Sequence, residues 1–378
     1  MLGELTFQEF ENVRSLFKGF DYSLSIRAVL DGGNPGRIFV DDSVNPRLAL
    51  ALTIEGYLLA GDPSDPELRE SMRQFFQDSI FTGQVYLDDN ETLSLALHPP
   101  EWADYLPKLI PTHEVEALPR YHYLCTELDY AWRDHLSKGY NVHQIDRTLL
   151  DDNLRDDPDG LIDIEIIRIA WGSVDNFLER GAGFVVKYGS AIVARCTADC
   201  RSGDQIDIGV ETSPIHRRKG LASIVVAATL EYCFQKGYRK IGWHCNTSNL
   251  GSWKTAEKVG FKRQGEYAYY YYMIDPIDHL AELGWHYYQL GDHEKTRQYY
   301  ERVFAARGEN PDYYYYLAAS VWAEIENADK ATQYLFEAVE RGWSNLEHIK
   351  NDKDFRFLHG TPTWEAILKH IERNEKSA

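Results

Sequence analysis

The chain reads as an α/β (α+β) protein: a mixed sheet with a crossover helix, preceded by a mixed α/β N-terminal domain and followed by an all-α domain of helical repeats. Three observations predict this. The runs Gly183–Lys187 and Ala191–Arg195 flank Tyr188-Gly189-Ser190, the pattern of a hairpin. Ile206–Val210 and Lys240–His244 read as strands on either side of Leu221–Gln235, in which Leu221, Ile224, Val225, Ala228 and Tyr232 share one helical face. Strand, helix, strand in that order is a crossover, and it puts Val210 and Lys240 on adjacent, parallel strands. Beyond Pro276, the residues Leu283, Gly284, Tyr287, Thr296, Tyr300 and Val303 recur 35 residues later as Ala318, Ala319, Trp322, Ala331, Leu335 and Ala338.

The domains expected are residues 1–139, 140–274 and 275–378. In the first, Arg37–Val40 and Ala49–Ile54 read as short buried strands and Gly61-Asp62-Pro63 as a turn. Pro66–Gln77 reads as a helix with Asp65 as its N-cap, and Tyr121–Cys125 as a packed strand. No catalytic motif stands out here. Val142–Ile145 opens the second domain as a strand, and the acidic run Asp151–Gly160 reads as a solvated loop. Ser252–Val259 is expected as a helix and Phe261–Tyr272 as the last strand. In the third domain Gly291-Asp292 supplies a turn, and Pro362-Thr363-Trp364-Glu365 opens a final helix. A period near 34 with small and aromatic residues at these offsets resembles tetratricopeptide helical hairpins.

Composition narrows the function. The 378 residues carry a formal net charge of -19 with no basic face to offset it, which argues against nucleic acid as a partner and is compatible with cationic ones. The five cysteines are odd in number and never form CxxC, so neither a disulfide framework nor a four-ligand zinc site is expected, and no metal is called for. No apolar run approaches the roughly 20 residues that span a bilayer, and the opening residues lack the basic and apolar regions of a signal peptide. A cytoplasmic protein with no membrane partner is the expectation.

The chemistry is concentrated in Val210-Glu211-Thr212-Ser213-Pro214-Ile215-His216-Arg217-Arg218-Lys219-Gly220-Leu221-Ala222, which leaves a strand, makes a basic turn and enters a helix. The first amides of a helix have no intrahelical acceptor, and the helix dipole adds positive charge there. Gly220 permits close approach to a phosphate, and Arg217, Arg218 and Lys219 reverse the local charge of an acidic protein. A pyrophosphate cradle is the physical reading.

Arg217-x-x-Gly220-x-Ala222, with Pro214 upstream, resembles the acetyl-CoA loop of the GNAT acetyltransferase superfamily. Asn249-Leu250-Gly251-Ser252 followed by Ala256-Glu257-Lys258-Val259-Gly260-Phe261 resembles its second signature. The likeness covers roughly residues 140–274 and looks like a bacterial two-domain branch of the family. It implies acetyl-CoA as cosubstrate and an amine as acceptor. On that likeness, the amides of Arg218, Lys219, Gly220, Leu221 and Ala222 hold the pyrophosphate, and Val210 and Thr212 pair with the pantetheine arm. Asn249 and Ser252 contact the cofactor, and the chain is an N-acetyltransferase acting on a primary amine of a small molecule or a protein. The alternative is a catalytically weak CoA-binding protein whose repeats mediate contacts with a peptide or with a second copy of the chain.

One departure from the family pattern matters: the tyrosine that many members place four residues before the glycine of Gly-Phe is Ala256 here, which leaves the general acid open. The amine must attack as the neutral base, so a proton acceptor is needed. Glu211 and His244 are the candidates. Their structural alternatives are a Glu211–Arg217 pair and a satisfied, half-buried His244. The tyrosines from Tyr267 to Tyr272 alternate as packing residues of a half-buried strand, and one of them could supply the acid.

Overall fold

The computed structural model describes residues 2–85, 92–152 and 157–375. The chain divides into two compact units, residues 1–111 with 115–271, and residues 112–114 with 272–378.

The first unit opens with β1 (Gly3–Glu4), α1 (Leu24–Leu30), β2 (Arg37–Val40), β3 (Leu48–Thr53) and β4 (Gly56–Gly61). Then come α2 (Pro66–Phe75), β5 (Thr92–His98) and the single-turn α3 (Leu106–Leu109). The strands form a sheet in the order β1-β2-β3-β4-β5, antiparallel up to β4 and parallel between β4 and β5. Every residue of β3 is buried, as suits a strand covered on both faces. Asp65 caps α2 as its position before Pro66 predicts, accepting from the amides of Glu67 and Leu68.

The same unit contains a second, seven-stranded sheet. Its elements are β6 (Arg120–Cys125), β7 (Tyr140–Gln144), α4 (Arg147–Asp152), α5 (Ile164–Trp171), α6 (Val174–Arg180), β8 (Gly183–Tyr188), β9 (Ala191–Ser202), β10 (Gln205–Thr212), α7 (Leu221–Gln235), β11 (Lys240–Asn246), α8 (Leu250–Lys258) and β12 (Lys262–Tyr267). The strand order is β12-β6-β11-β10-β9-β8-β7. β8 and β9 form the expected hairpin, and β10 and β11 are parallel, joined through α7.

Four details depart from the sequence reading. The strand at 120–125 lies inside the second sheet, between β11 and β12, so a division at 139/140 passes through that sheet. The run Phe261–Tyr272 is two strands: β12 pairs with β6, and β13 (Tyr270–Met273) takes its place after β5 in the first sheet, the unit boundary falling after Tyr271. Of the acidic run, Asp151–Asp152 ends α4, and Asp157 folds back to accept from the amides of Leu161 and Ile162. Its residues 153–156 lie outside the described residues. Finally, α7 is buried on more than one face: Ser223, Val226, Ala227, Thr229, Leu230 and Cys233 are covered along with Leu221, Ile224, Val225 and Ala228 of the predicted stripe, while Tyr232 is half-buried. Burial of an apolar helix beyond one stripe marks it as central to the core.

The second unit is helical: α9 (Pro276–Gln289), α10 (His293–Ala306), α11 (Asp312–Glu324), α12 (Ala328–Glu340), α13 (Leu346–Asn351) and α14 (Pro362–Glu375). α9 packs on α10, and α11 on α12. The matched positions of the 35-residue repeat are all buried: Leu283, Gly284, Tyr287, Thr296, Tyr300 and Val303, and likewise Ala318, Ala319, Trp322, Ala331, Leu335 and Ala338. Among the described residues, no helix is long and apolar enough to cross a membrane. All five cysteines are free and buried.

Candidate active site

β10 pairs with β9 along its whole length but with β11 only from Gln205 to Asp207, opposite Lys240 to Gly242. Beyond that rung β11 continues against β6 as far as Asn246, and the two parallel strands part. Ser213 donates its amide to the Val193 carbonyl, so by antiparallel alternation the backbone groups of Glu211 face β9 while those of Val210 and Thr212 face the gap. An extended ligand has a strand edge to pair with there.

The gap ends in the basic turn. The Arg217 side chain turns back, donating Nε–H to the Thr212 carbonyl at 3.2 Å, which pins the turn to the strand. Arg218 (φ 60°) and Gly220 (φ 80°) are both left-handed. Gly220 is the N-cap of α7 and has nothing within 4 Å of where a Cβ would stand, so the turn is open on that side. Its carbonyl accepts from Ile224, which leaves the amides of Leu221, Ala222 and Ser223 ahead of the first intrahelical bond.

The result is a cleft of about 650 Å³ between the end of β10, the turn and one side of α8. Val210, Glu211, Thr212, Arg217, Arg218, Gly220, Leu221, Ala222, Asn249 and Ser252 all line it; Lys219 and His244 do not. The sequence reading missed Lys254, Thr255 and Lys258, which also line it. The two lysines stand one helical turn apart on α8, a spacing visible in the sequence once the helix is assigned. With Arg217 and Arg218 they make the cleft cationic in a chain of charge -19.

The residues fit a pyrophosphate with an extended arm: unbonded helix amides, an open left-handed glycine, four cations, and a buried Thr212 hydroxyl with no hydrogen-bond partner at the cleft wall. Asn249 and Ser252 also have structural work. Asn249 caps α8, accepting the Ser252 amide on Oδ1 at 3.0 Å, and Ser252 Oγ accepts from Trp243 Nε1 at 3.0 Å. Ala256 faces the protein core and is fully buried.

The two candidate bases lie in different surroundings. Glu211, with its side chain 50% exposed, lines the cleft and is paired with Arg195 at 3.2 Å, not with Arg217. Arg195 is its direct cross-strand neighbour on β9, whereas Arg217 is occupied by Thr212. His244 is not half-buried: only 5% of its side chain is exposed. It lies in a separate polar cluster around a cavity of about 20 Å³, shared with Asp207, Tyr267, Arg120, Glu55, Tyr269 and Tyr22. The imidazole stacks on His122, bonds the Tyr267 hydroxyl through Nδ1 at 3.0 Å, and holds Nε2 3.7 Å from Asp207 Oδ2, which has no hydrogen bond. Tyr22 stacks on Tyr267 with centroids 4.2 Å apart, and the Tyr269 hydroxyl donates to the Glu55 carbonyl.

Burial decides the charges in this cluster. It pushes His244 well below the usual imidazole range, helped by His122 and Arg120. It raises Asp207 well above the carboxylate range, helped by Glu55 and Asp199. Desolvation thus favours the neutral form of each group, opposing the attraction between His244 and Asp207 across 3.7 Å.

The chain matches the family model described as GNAT acetyltransferase over residues 14–270, a span that takes in the whole second sheet and strands β2 to β5 of the first, and stops before α9. It is 23% identical over 274 residues to the uncharacterized N-acetyltransferase YdfB of Bacillus subtilis (strain 168), covering 72% of this chain and 98% of that one. A GCN5-related N-acetyltransferase-like protein from Streptococcus suis has the same fold, with a TM-score of 0.53 and 24% identity over 70% of this chain and 98% of that chain. The strands that part at Asp207, the basic turn at the start of α7 and the match across 14–270 lead to one conclusion: the chain belongs to the GNAT acetyltransferase family.

Proposed function

We propose that the protein transfers an acetyl group from acetyl-CoA to a primary amine. The observation that carries this is the cationic cleft at the N-terminus of α7, continuous with the unpaired edge of β10. Arg217, Arg218, Lys254 and Lys258, with the amides from Arg218 to Ala222, hold the pyrophosphate. The backbone of Val210 and Thr212 pairs with the pantetheine arm as an added strand would. Lys219, which does not line the cleft, contributes its amide alone.

The acceptor amine enters neutral and forms the C–N bond as the C–S bond to CoA breaks. Its proton passes to Glu211, directly or through one water, and the departing thiolate takes a proton from solvent. Glu211 is favoured over His244 because it lines the cleft and is open to solvent, whereas His244 is enclosed outside the cleft and burial makes it a poorer proton acceptor. His244, Tyr267 and Asp207 line the separate small cavity and not the cleft. Ala256 is buried in the core and does not line the cleft, so the proton for the thiolate is left to solvent.

The buried positions of the 35-residue repeat support a tetratricopeptide-like reading of the helical unit, with a peptide or a second copy of the chain as partner. The five buried free thiols suit a reducing, cytoplasmic setting.

Thiol release from acetyl-CoA, measured over a panel of small amines and lysine peptides, tests the reading. Amine-dependent release that fails in Glu211→Gln supports it. No release with any amine, or unchanged release in that variant, sinks the assignment of the reaction or of the base respectively.

A further inference from the structure

The helical unit holds a groove of about 480 Å³ that acetyl transfer does not use. Its walls are aromatic: Trp285 from α9, Tyr300 from α10, Tyr313 and Tyr316 from α11, and Trp343 from the loop before α13. Tyr316 and Trp343 stack with centroids 4.2 Å apart and planes 9° from parallel.

Two carboxylates reach the same groove, and they differ. Asp278 is already satisfied, accepting from Arg307 at 2.8 Å and from the Tyr314 hydroxyl at 3.0 Å. Glu282 has no hydrogen bond or ion pair among the described residues, and burial alone raises its carboxyl above the usual range. Beside it the Tyr300 ring is 2% exposed and its hydroxyl has no hydrogen-bond partner. An unpaired, half-buried carboxylate and an orphaned phenol in one groove each cost free energy, and an arriving donor that bonds both would remove that cost.

A cation surrounded by ring faces is attracted to their negative quadrupoles, most strongly where water is excluded. An ammonium suits this groove better than a guanidinium. It is a compact charge with three diverging donors, matched to two acceptors of different kind, whereas the planar fork of arginine is best met by a paired carboxylate. The one carboxylate here that takes a guanidinium, Asp278, already has Arg307. The groove is also open along one side, where Tyr313 is 50% exposed. A free small amine is normally enclosed on most of its surface, so the open side suits a side chain still attached to its polypeptide.

We propose that this groove captures a lysine side chain of a partner polypeptide, its ammonium held by Glu282 and Tyr300 and its stem packed on the surrounding rings.

The test uses the full chain without acetyl-CoA and a blocked tripeptide, acetyl-Gly-Lys-Gly-amide. Its norleucine and Nε-acetyl-lysine versions serve as neutral controls, and butylammonium as the free amine. Tryptophan fluorescence and thermal unfolding are read in parallel. The proposal expects the lysine peptide to bind and stabilise, the neutral peptides to bind at least ~10-fold more weakly, and butylammonium to fall between them. Glu282→Gln removes a lone buried carboxylate, so the variant should unfold at the same or higher temperature while losing the lysine-specific stabilisation. Tyr313→Ala at the rim should weaken the lysine peptide without lowering the unfolding temperature. Equal binding of the lysine and norleucine peptides would overturn the cation site. So would lysine binding that Glu282→Gln leaves unchanged, which would place the peptide elsewhere. Butylammonium binding as tightly as the peptide would overturn the polypeptide source.

Discussion

His122 and His244 are direct cross-strand partners on β6 and β11, and their rings stack 4.7 Å apart and 10° from parallel. Two stacked imidazoles cannot both carry charge cheaply in a buried site. Burial, with Arg27 nearby, pushes His122 down to about 4, and burial with His122 and Arg120 holds His244 well below its ordinary range.

A pH dependence of stability follows. In the unfolded chain these imidazoles gain a proton near pH ~6.5, and in the folded chain they do not. The unfolded state then binds more protons, so stability falls as the pH drops from about 6.5 toward about 4. Asp207 works the other way: its raised carboxyl favours the folded state in acid and costs stability as the pH rises. In thermal unfolding between pH 7 and pH 4.5, His122→Phe should keep the ring contact and show a shallower fall in Tm than wild type. Parallel slopes would mean that the pair is not held neutral.

Gly242 faces the Asp207 carboxylate across the last paired rung of β10 and β11, and a Cβ there would overlap Asp207 Oδ1. Gly242→Ala should therefore cost about 1–3 kcal/mol, the usual range for overpacking. Asp207→Asn in the same background leaves the overlap in place and should recover little. Denaturant unfolding of the single and double variants checks this, and a near-neutral Gly242→Ala would show that the Asp207 side chain is free to move.

Asn249 has two roles that substitution can separate. Asn249→Ala removes the α8 cap and should lower stability by about 1 kcal/mol, while Asn249→Asp keeps the acceptor and the cap. If Asn249 also touches acetyl-CoA through its amide NH₂, the aspartate variant should bind acetyl-CoA more weakly despite wild-type stability. Full binding by Asn249→Asp would confine the residue to the cap.

Lys254 and Lys258 should act on the cosubstrate and not on the fold, since both line the cleft from the exposed side of α8. Changing both to Gln should weaken acetyl-CoA binding by about 3- to 10-fold at low salt and by less at 0.5 M, where screening has already removed most of the attraction of exposed charges. A loss independent of salt would point to direct, desolvated contacts instead.

Much of the cleft was legible in the sequence because its determinants are local. Pro214, the cations from Arg217 to Lys219, Gly220 and the apolar start of α7 lie within one stretch of chain, and their geometry follows from helix termini and positive φ. The polar cluster was not legible. Tyr22, Glu55, Arg120, Asp207, His244 and Tyr267 come from α1 or its approach, the β3–β4 turn and four strands, and no periodicity brings such distant residues together. The same applies to β6: inserting Arg120–Cys125 between β11 and β12 is a matter of sheet topology, which its aromatic alternation does not encode. The run from Tyr267 to Tyr272 kept an unbroken strand pattern across Ala268–Tyr269, which hid the passage from one sheet to the other. Lys254 and Lys258 were within reach, as two lysines one turn apart on a helix already assigned beside the cleft.

The most direct test of the account is calorimetric titration of acetyl-CoA into the wild-type chain and into Gly220→Glu. The turn is open at Gly220, so the substitution places a carboxylate where the pyrophosphate is held, at the added cost of a left-handed non-glycine residue, roughly 1–2 kcal/mol. Saturable binding to the wild type is expected, with its loss in a variant that still unfolds cooperatively. No binding by the wild type, or equal binding by both, would contradict the pyrophosphate site at the start of α7.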